Sequence, residues 1–109
     1  FLGGAWTSPR QVAPAGDRVQ PFPPALQLNV GRSGAALLSW TRETDTAMYV
    51  EAAYRPKAQD WRAPQRLSRP TLRGAAAEGF VRRGDRAVVV WRAVTATSED
   101  VVQLRRLHP

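Results

Sequence analysis

The sequence predicts an all-β fold of two four-stranded antiparallel propeller-like blades. Three observations carry that expectation. The four tryptophans fall into two matching pairs, short apolar runs are separated by Gly- and Pro-rich turns, and the prolines leave no helical period intact. With 109 residues the chain is long enough for one domain around one core. An eight-stranded β-sandwich fits the same length and strand count and is the alternative. The two differ in connectivity, because a blade is a meander whereas a sandwich sends the chain across between sheets.

Taken in order, strands are expected near 5–12, 25–30, 35–42, 48–55, 60–67, 75–82, 86–93 and 100–106. Residues 35–42 and 86–93 are Ala/Leu/Val-rich at successive positions, as in strands covered on both faces. Residues 48–55 alternate instead: Met48, Val50, Ala52 and Tyr54 point one way, Glu51 and Arg55 the other. Gly31-Arg32-Ser33-Gly34 and Arg82-Arg83-Gly84-Asp85 have hairpin-turn chemistry and join the first and second strands of each unit. Polar stretches 43–46 and 95–100 turn the chain between second and third strands, and the Pro-rich stretch 13–24 is a connection.

The repeat is visible residue by residue. Trp6-Thr7-Ser8-Pro9-Arg10-Gln11-Val12 matches Trp61-Arg62-Ala63-Pro64-Gln65-Arg66-Leu67 at an offset of 55. Gly34-Ala35-Ala36-Leu37-Leu38-Ser39-Trp40 matches Asp85-Arg86-Ala87-Val88-Val89-Val90-Trp91 at 51, and Tyr49-Val50-Glu51-Ala52 matches Val101-Val102-Gln103-Leu104 at 52. Such a period suits a four-stranded blade. Residues 1–109 are therefore expected to form one β domain of two repeats, about 5–55 and 60–106. Continuing the Trp40-to-Trp61 spacing beyond Trp91 would place the next tryptophan near position 112, past Pro109. Its counterpart stands at the other end, at Trp6. The blades are thus expected to be circularly permuted, with the N-terminal strand completing the C-terminal blade of the same or a neighbouring chain. Two blades cannot close a ring. Either copies associate as a homo-oligomer, a trimer being one closed form, or the chain, which begins at Phe1 without a Met, is part of a larger propeller.

The order Trp-x-x-Pro, Gly-x-Ala, Trp, Ala-Ala-Tyr-Arg-Pro, Trp-x-x-Pro resembles the sialidase-like β-propeller repeats of secreted actinobacterial proteins, over nearly the whole chain. Those repeats carry an Asp before the Gly of the first turn, where this chain has Arg32-Ser33. The resemblance implies a secreted or cell-surface scaffold and no catalytic set. In layout, a ring of two-blade chains is also similar to the small bacterial fucose-binding lectins.

Formal net charge is +7, from 16 basic and 9 acidic residues. Residues 55–92 hold ten of the basic residues against three acidic ones, so a polyanion partner is one expectation. Composition is the competing explanation, since every basic residue but Lys57 is Arg. Enzymatic chemistry is not expected. The chain has no Cys and one His, His108 at its end, and its carboxylate pairs Glu43/Asp45 and Glu99/Asp100 fall on turns. No metal, cofactor or membrane-spanning helix is expected either. What remains is a non-catalytic binding module, carbohydrate recognition foremost, with Trp6, Arg10, Tyr54, Trp61 and Arg62 as its ligand-binding residues: aromatic rings stack on sugars and arginines fix hydroxyls. Trp40 and Trp91 are assigned to packing. A structural segment of a larger secreted propeller, or a binder of polyanions through 55–92, are the alternatives.

Overall fold

Pairing along the ladders, and not hydrophobic collapse alone, defines this molecule, because its two sheets are built to one plan. The computed structural model describes residues 8–13, 18–19, 26–44, 48–69, 73–82, 86–94 and 100–107. Among them are eight strands and no helix: β1 (Arg18–Val19), β2 (Leu26–Val30), β3 (Ala36–Glu43), β4 (Met48–Arg55), β5 (Gln65–Arg66), β6 (Arg73–Arg82), β7 (Arg86–Val94) and β8 (Asp100–Leu107). All pairing is antiparallel. The first sheet is four positions wide, with β1 and β2 sharing one edge of β3, followed by β4 and β5. The second has the order β6-β7-β8. Apart from β1, each sheet is a meander, and the chain passes between sheets only after β5.

Six of the eight expected strands appear within a few residues of their anticipated bounds. The expectation at 60–67 shrinks to β5, although Arg62 N still donates to Tyr54 O (2.8 Å) and Leu67 N to Val50 O (2.8 Å). The expectation at 5–12 is not met where it can be seen. Residues 8–12 form no strand, 5–7 lie outside the described residues, and no described segment pairs with the outer edge of β8. Pro9 cannot donate to a ladder, and the Arg10 guanidinium is engaged by Asp60. Conversely β1 falls inside the stretch expected to be only a connection.

The two meanders share one register. Val30 faces Ala36 as Val81 faces Ala87, and Leu28 faces Leu38 as Gly79 faces Val89. Ala36 faces Arg55 as Ala87 faces Leu107, and Trp40 faces Glu51 as Trp91 faces Gln103. The indoles make the same bond in both: Trp40 Nε1 donates to Glu51 Oε2 (2.9 Å) and Trp91 Nε1 to Gln103 Oε1 (2.9 Å). Of the first-strand turns, 31–34 is as expected. Gly34 N donates to Gly31 O (3.0 Å), and Gly34 takes a φ of 95°, which a side chain would oppose. Its counterpart at 83–85 lies outside the described residues.

Because facing residues share a side of the sheet, the core composition fixes how the sheets stack. The first sheet contributes Leu37, Val50, Ala52 and Tyr54; the second contributes Ala87, Val89, Trp91, Ala93 and Leu107. The first-sheet counterparts of Ala87, Val89 and Trp91 are Ala36, Leu38 and Trp40, which lie on the face turned away from the core. The repeats therefore stack in the same sense, one unit's front on the next unit's back. β6 lies over β3, flanked by β2 and β4. Gly79 permits this approach, since a Cβ there would stand 2.6 Å from Leu37 Cδ2. Asn29 Oδ1 accepts from Val81 N (2.8 Å) and so satisfies a backbone donor of β6 across the gap.

β3 is buried on both faces, as anticipated for a strand apolar at successive positions. β7 is buried only on its core side; Val88 and Val90 are half-buried and Arg86 and Arg92 exposed. Ser39, buried beneath Gly79, has an Oγ with no hydrogen-bond partner among the described residues. Ser39→Ala is therefore expected to stabilise the fold by about 1 kcal/mol, and Gly79→Ala to destabilise it by about 2 kcal/mol. Urea unfolding followed by tryptophan fluorescence reads both shifts.

Candidate functional site

The sequence-derived site residues converge only in part. Tyr54 is buried in the contact between the sheets, opposite Leu37, and its ring serves the core. Arg10 and Trp61 do come together, around a carboxylate that sequence reasoning passed over, whereas Arg62, next in the chain, donates its backbone N to Tyr54 O. Asp60 accepts from the Arg10 guanidinium through Oδ2 and from Trp61 N through Oδ1 (2.8 Å). Trp61 is half-buried, while Arg10, Asp60 and Arg62 are exposed. Trp6 lies outside the described residues.

Local chemistry explains the turn. After β4, Pro56 cannot continue the ladder as a donor. The chain then reverses through 56–59, with Gln59 N donating to Pro56 O (3.2 Å) and Ala58 at a φ of 54°. That conformation is costly for alanine. The result is an exposed, multiply charged knob at the outer edge of the first sheet: a cation, an anion and half of an indole face. Such a group can hydrogen-bond hydroxyls and stack on a flat apolar ring face.

A second polar cluster occupies the outward face of the first sheet. Glu51 Oε2 accepts from Trp40 Nε1 and also from Arg42 Nε (2.8 Å), and both side chains of the ion pair are largely buried. Beside it the Arg66 guanidinium lies 3.8 Å from the centre of the Tyr49 ring. In the second sheet these positions hold Ala93, Gln103 and Val101, so only the indole bond is retained there. The alignment of Trp40 with Trp91 and of Glu51 with Gln103 held the signal for this cluster; turning it into a contact required the hairpin register.

Of the basic stretch 55–92, Arg83 and the side chain of Arg73 lie outside the described residues. Arg66 lies on the outward face of the first sheet, Arg86 and Arg92 on that of the second, and Arg55 is half-buried, donating to Gly34 O (3.1 Å). Arg105, on β8, reaches the carbonyls of Arg66 and Leu67 (both 3.4 Å) and ties the two sheets at their outer edge. Of the residues weighed for catalysis, Asp45, Glu99 and His108 lie outside the described residues. Among the described residues no group of three His, Cys, Asp or Glu side chains could hold a metal.

The ion pair makes a sharp energetic prediction. Glu51→Ala, which strips Arg42 and the indole of their acceptor, is expected to cost about 3 kcal/mol. Glu51→Gln keeps a neutral acceptor for the indole but removes the negative charge that faces the Arg42 guanidinium. Arg42→Ala added to Glu51→Gln recreates the arrangement of the second sheet, and is expected to recover at least about 1 kcal/mol relative to Glu51→Gln alone. A double-mutant cycle in urea measures this. No family model, curated protein or solved structure matches the chain.

Proposed function

We propose that the chain is a non-catalytic assembly module: a pair of propeller-like blades that stack face to face on further copies of itself. The observation that carries this reading is where the exposed apolar side chains stand. Leu26, Leu28 and Val30 are 58%, 60% and 58% exposed, and the register puts them on the outward face of the first sheet. Phe80, Val102 and Leu104 are 46%, 79% and 59% exposed and lie on the outward face of the second. These faces are the unmatched back and front of the repeat whose other front and back already form the core. A second copy placed on either end would extend the same stack.

Meander order and same-sense stacking favour blades over a sandwich. The contact is heterologous, so copies either close into a ring or continue as a filament. A ring of two-blade chains reaches the usual propeller size with two to four copies. Leu28 stands where Gly79 stands inside, and Val88 where Leu37 stands, so the larger side chain changes sides between the internal contact and the proposed one.

A second reading, glycan recognition, is favoured by the cluster of Arg10, Asp60 and Trp61. Assembly would multiply that weak site around a ring. Binding on a glycan array at physiological salt, abolished by Trp61→Ala, would support it. Steeply salt-dependent retention on heparin without such binding would point to a polyanion ligand instead.

Light scattering at micromolar concentration tests the assembly reading. The wild type is expected to be oligomeric. Leu28→Asp and Leu104→Asp each spoil one face and should weaken association by about a hundredfold or more. Because each variant keeps the other face intact, an equimolar mixture is expected to form a discrete dimer that neither forms alone. A wild-type monomer that binds no hydrophobic dye rejects the reading.

A further inference from the structure

Resting on that reading, we propose that residues 8–12 of a neighbouring copy add to the open edge of β8 as the fourth strand of the second sheet, with Arg10 opposite Leu104 and Gln11 opposite Gln103. The motivation is an asymmetry between units that otherwise match. In the first sheet the outer edge of β4 is covered. Gln65 faces Ala52, Arg66 faces Glu51, Leu67 N donates to Val50 O, and Val50 N donates to Ser68 Oγ (2.7 Å). The equivalent edge of β8, from Asp100 to Leu107, has no partner strand among the described residues. An open edge of that length is a ready template for another extended segment.

The occupant is identified by the chain's own sequence. Ser8-Pro9-Arg10-Gln11-Val12 is the counterpart of Ala63-Pro64-Gln65-Arg66-Leu67, the segment that covers β4. Carrying the observed register across at offsets of 55 and 52 puts Arg10 opposite Leu104, Gln11 opposite Gln103 and Val12 opposite Val102. Charge does not oppose the pairing, because the facing residues at these three positions are Leu, Gln and Val. One contact is lost: Ala13 stands where the Ser68 hydroxyl accepts from Val50 N, so Val102 N gains no side-chain partner in this way.

The position of the segment says which copy supplies it. Within its own chain, Arg10 is engaged by Asp60, in the connection that leads from β4 to β5. That moors residues 8–12 by Asp60 at the outer edge of the first sheet, where they pair with no part of their own β8. In a same-sense stack that keeps the internal offset, in which β6, the counterpart of β2, lies over β3, β4 of one copy lies over the vacant position beside β8 of the preceding copy. The moored segment is then beside the neighbour's open edge. Strand addition would join copies by main-chain bonds in addition to face contact, and each copy would both give and receive one segment.

Engineered cysteines test this in a chain that has none of its own. Directly opposed residues of an antiparallel pair have Cα atoms about 4.5–5.5 Å apart, within disulfide range. Val12→Cys and Val102→Cys, which leave the Arg10–Asp60 mooring intact, are made in separate chains, mixed and oxidised. A cross-linked dimer from the mixture, at least about fivefold above either variant alone and above a Gln11→Cys plus Val102→Cys mixture, is the expected result, since position 11 points to the opposite side of the ladder. Light scattering of the wild type separates the two ideas. An oligomer without the cross-link overturns strand addition and leaves face stacking in place. A monomer without the cross-link overturns both. A disulfide that forms only within a single chain carrying both cysteines overturns the exchange between copies.

Discussion

The contact between Gly79 and Leu37 sets the spacing on which everything else in the molecule depends. Sheets covered by full-sized side chains stay about 10 Å apart. Here β6 comes down onto β3 because the residue between them has no Cβ, and the 2.6 Å that a Cβ would leave to Leu37 Cδ2 shows how little room remains. The neighbouring close approaches follow from it. Gly31 sits against Val81, and Asn29 can reach the backbone of β6. Farther out the same two sheets are separated by larger groups, Trp91, Tyr54 and Leu107, all buried.

A repeated unit that stacks in one sense cannot satisfy both of its faces within a pair. In a mirrored pair of sheets the two apolar faces meet and the two polar faces look out. Here each unit has two apolar faces, so the pair leaves one at each end. The ends are treated differently. On the first sheet the outward face is partly polar, and its Glu51, Arg42 and Trp40 are bonded to one another where the second sheet has only the Trp91–Gln103 bond. A buried charge needs a partner wherever it sits, and Arg42 has Glu51. On the second sheet no such substitution has occurred along Val88, Val90, Val102 and Leu104, and the face remains aliphatic with arginines among its members.

How far this was legible in the sequence follows from which interactions are local. Alternation and apolar runs located β2, β3, β4, β6, β7 and β8, because each strand's own side chains record its burial. The offsets between the tryptophan segments anticipated a common register, and the ladders match at the same offsets. What failed was whatever depends on a partner distant in sequence. Residues 8–12 carry the same pattern as 63–67, yet only the latter have an adjacent edge to lie along, so equal sequences take unequal structures. β1 pairs Arg18 and Val19 with Glu43 and Arg42, a short bridge with no periodicity to betray it. Tyr54 is expected among the ligand-binding residues, although its alternation with Val50 and Ala52 places it on the side that is buried. Asp60, which gathers Arg10 and Trp61, was invisible because its importance lies in a contact spanning fifty positions of sequence.

The same dependence on distant partners explains why the N-terminal segment is held at Asp60 and not paired. A strand of few residues with a proline in it gains little from an edge unless its side chains are also buried, and Ser8, Arg10 and Gln11 offer no apolar face. β5 faces the same difficulty and solves it with flanking anchors: Leu67 enters the core, Ser68 bonds to Val50 N, and Arg105 binds the carbonyls of Arg66 and Leu67. Among the described residues, 8–12 have one such anchor in their own chain, the Arg10–Asp60 ion pair, and exposed pairs of that kind contribute about 1 kcal/mol or less. That is enough to bias where the segment sits without fixing it there. An edge strand of eight residues and a segment held by one exposed ion pair are complementary shortages, and under the proposed stacking each would supply what the other lacks.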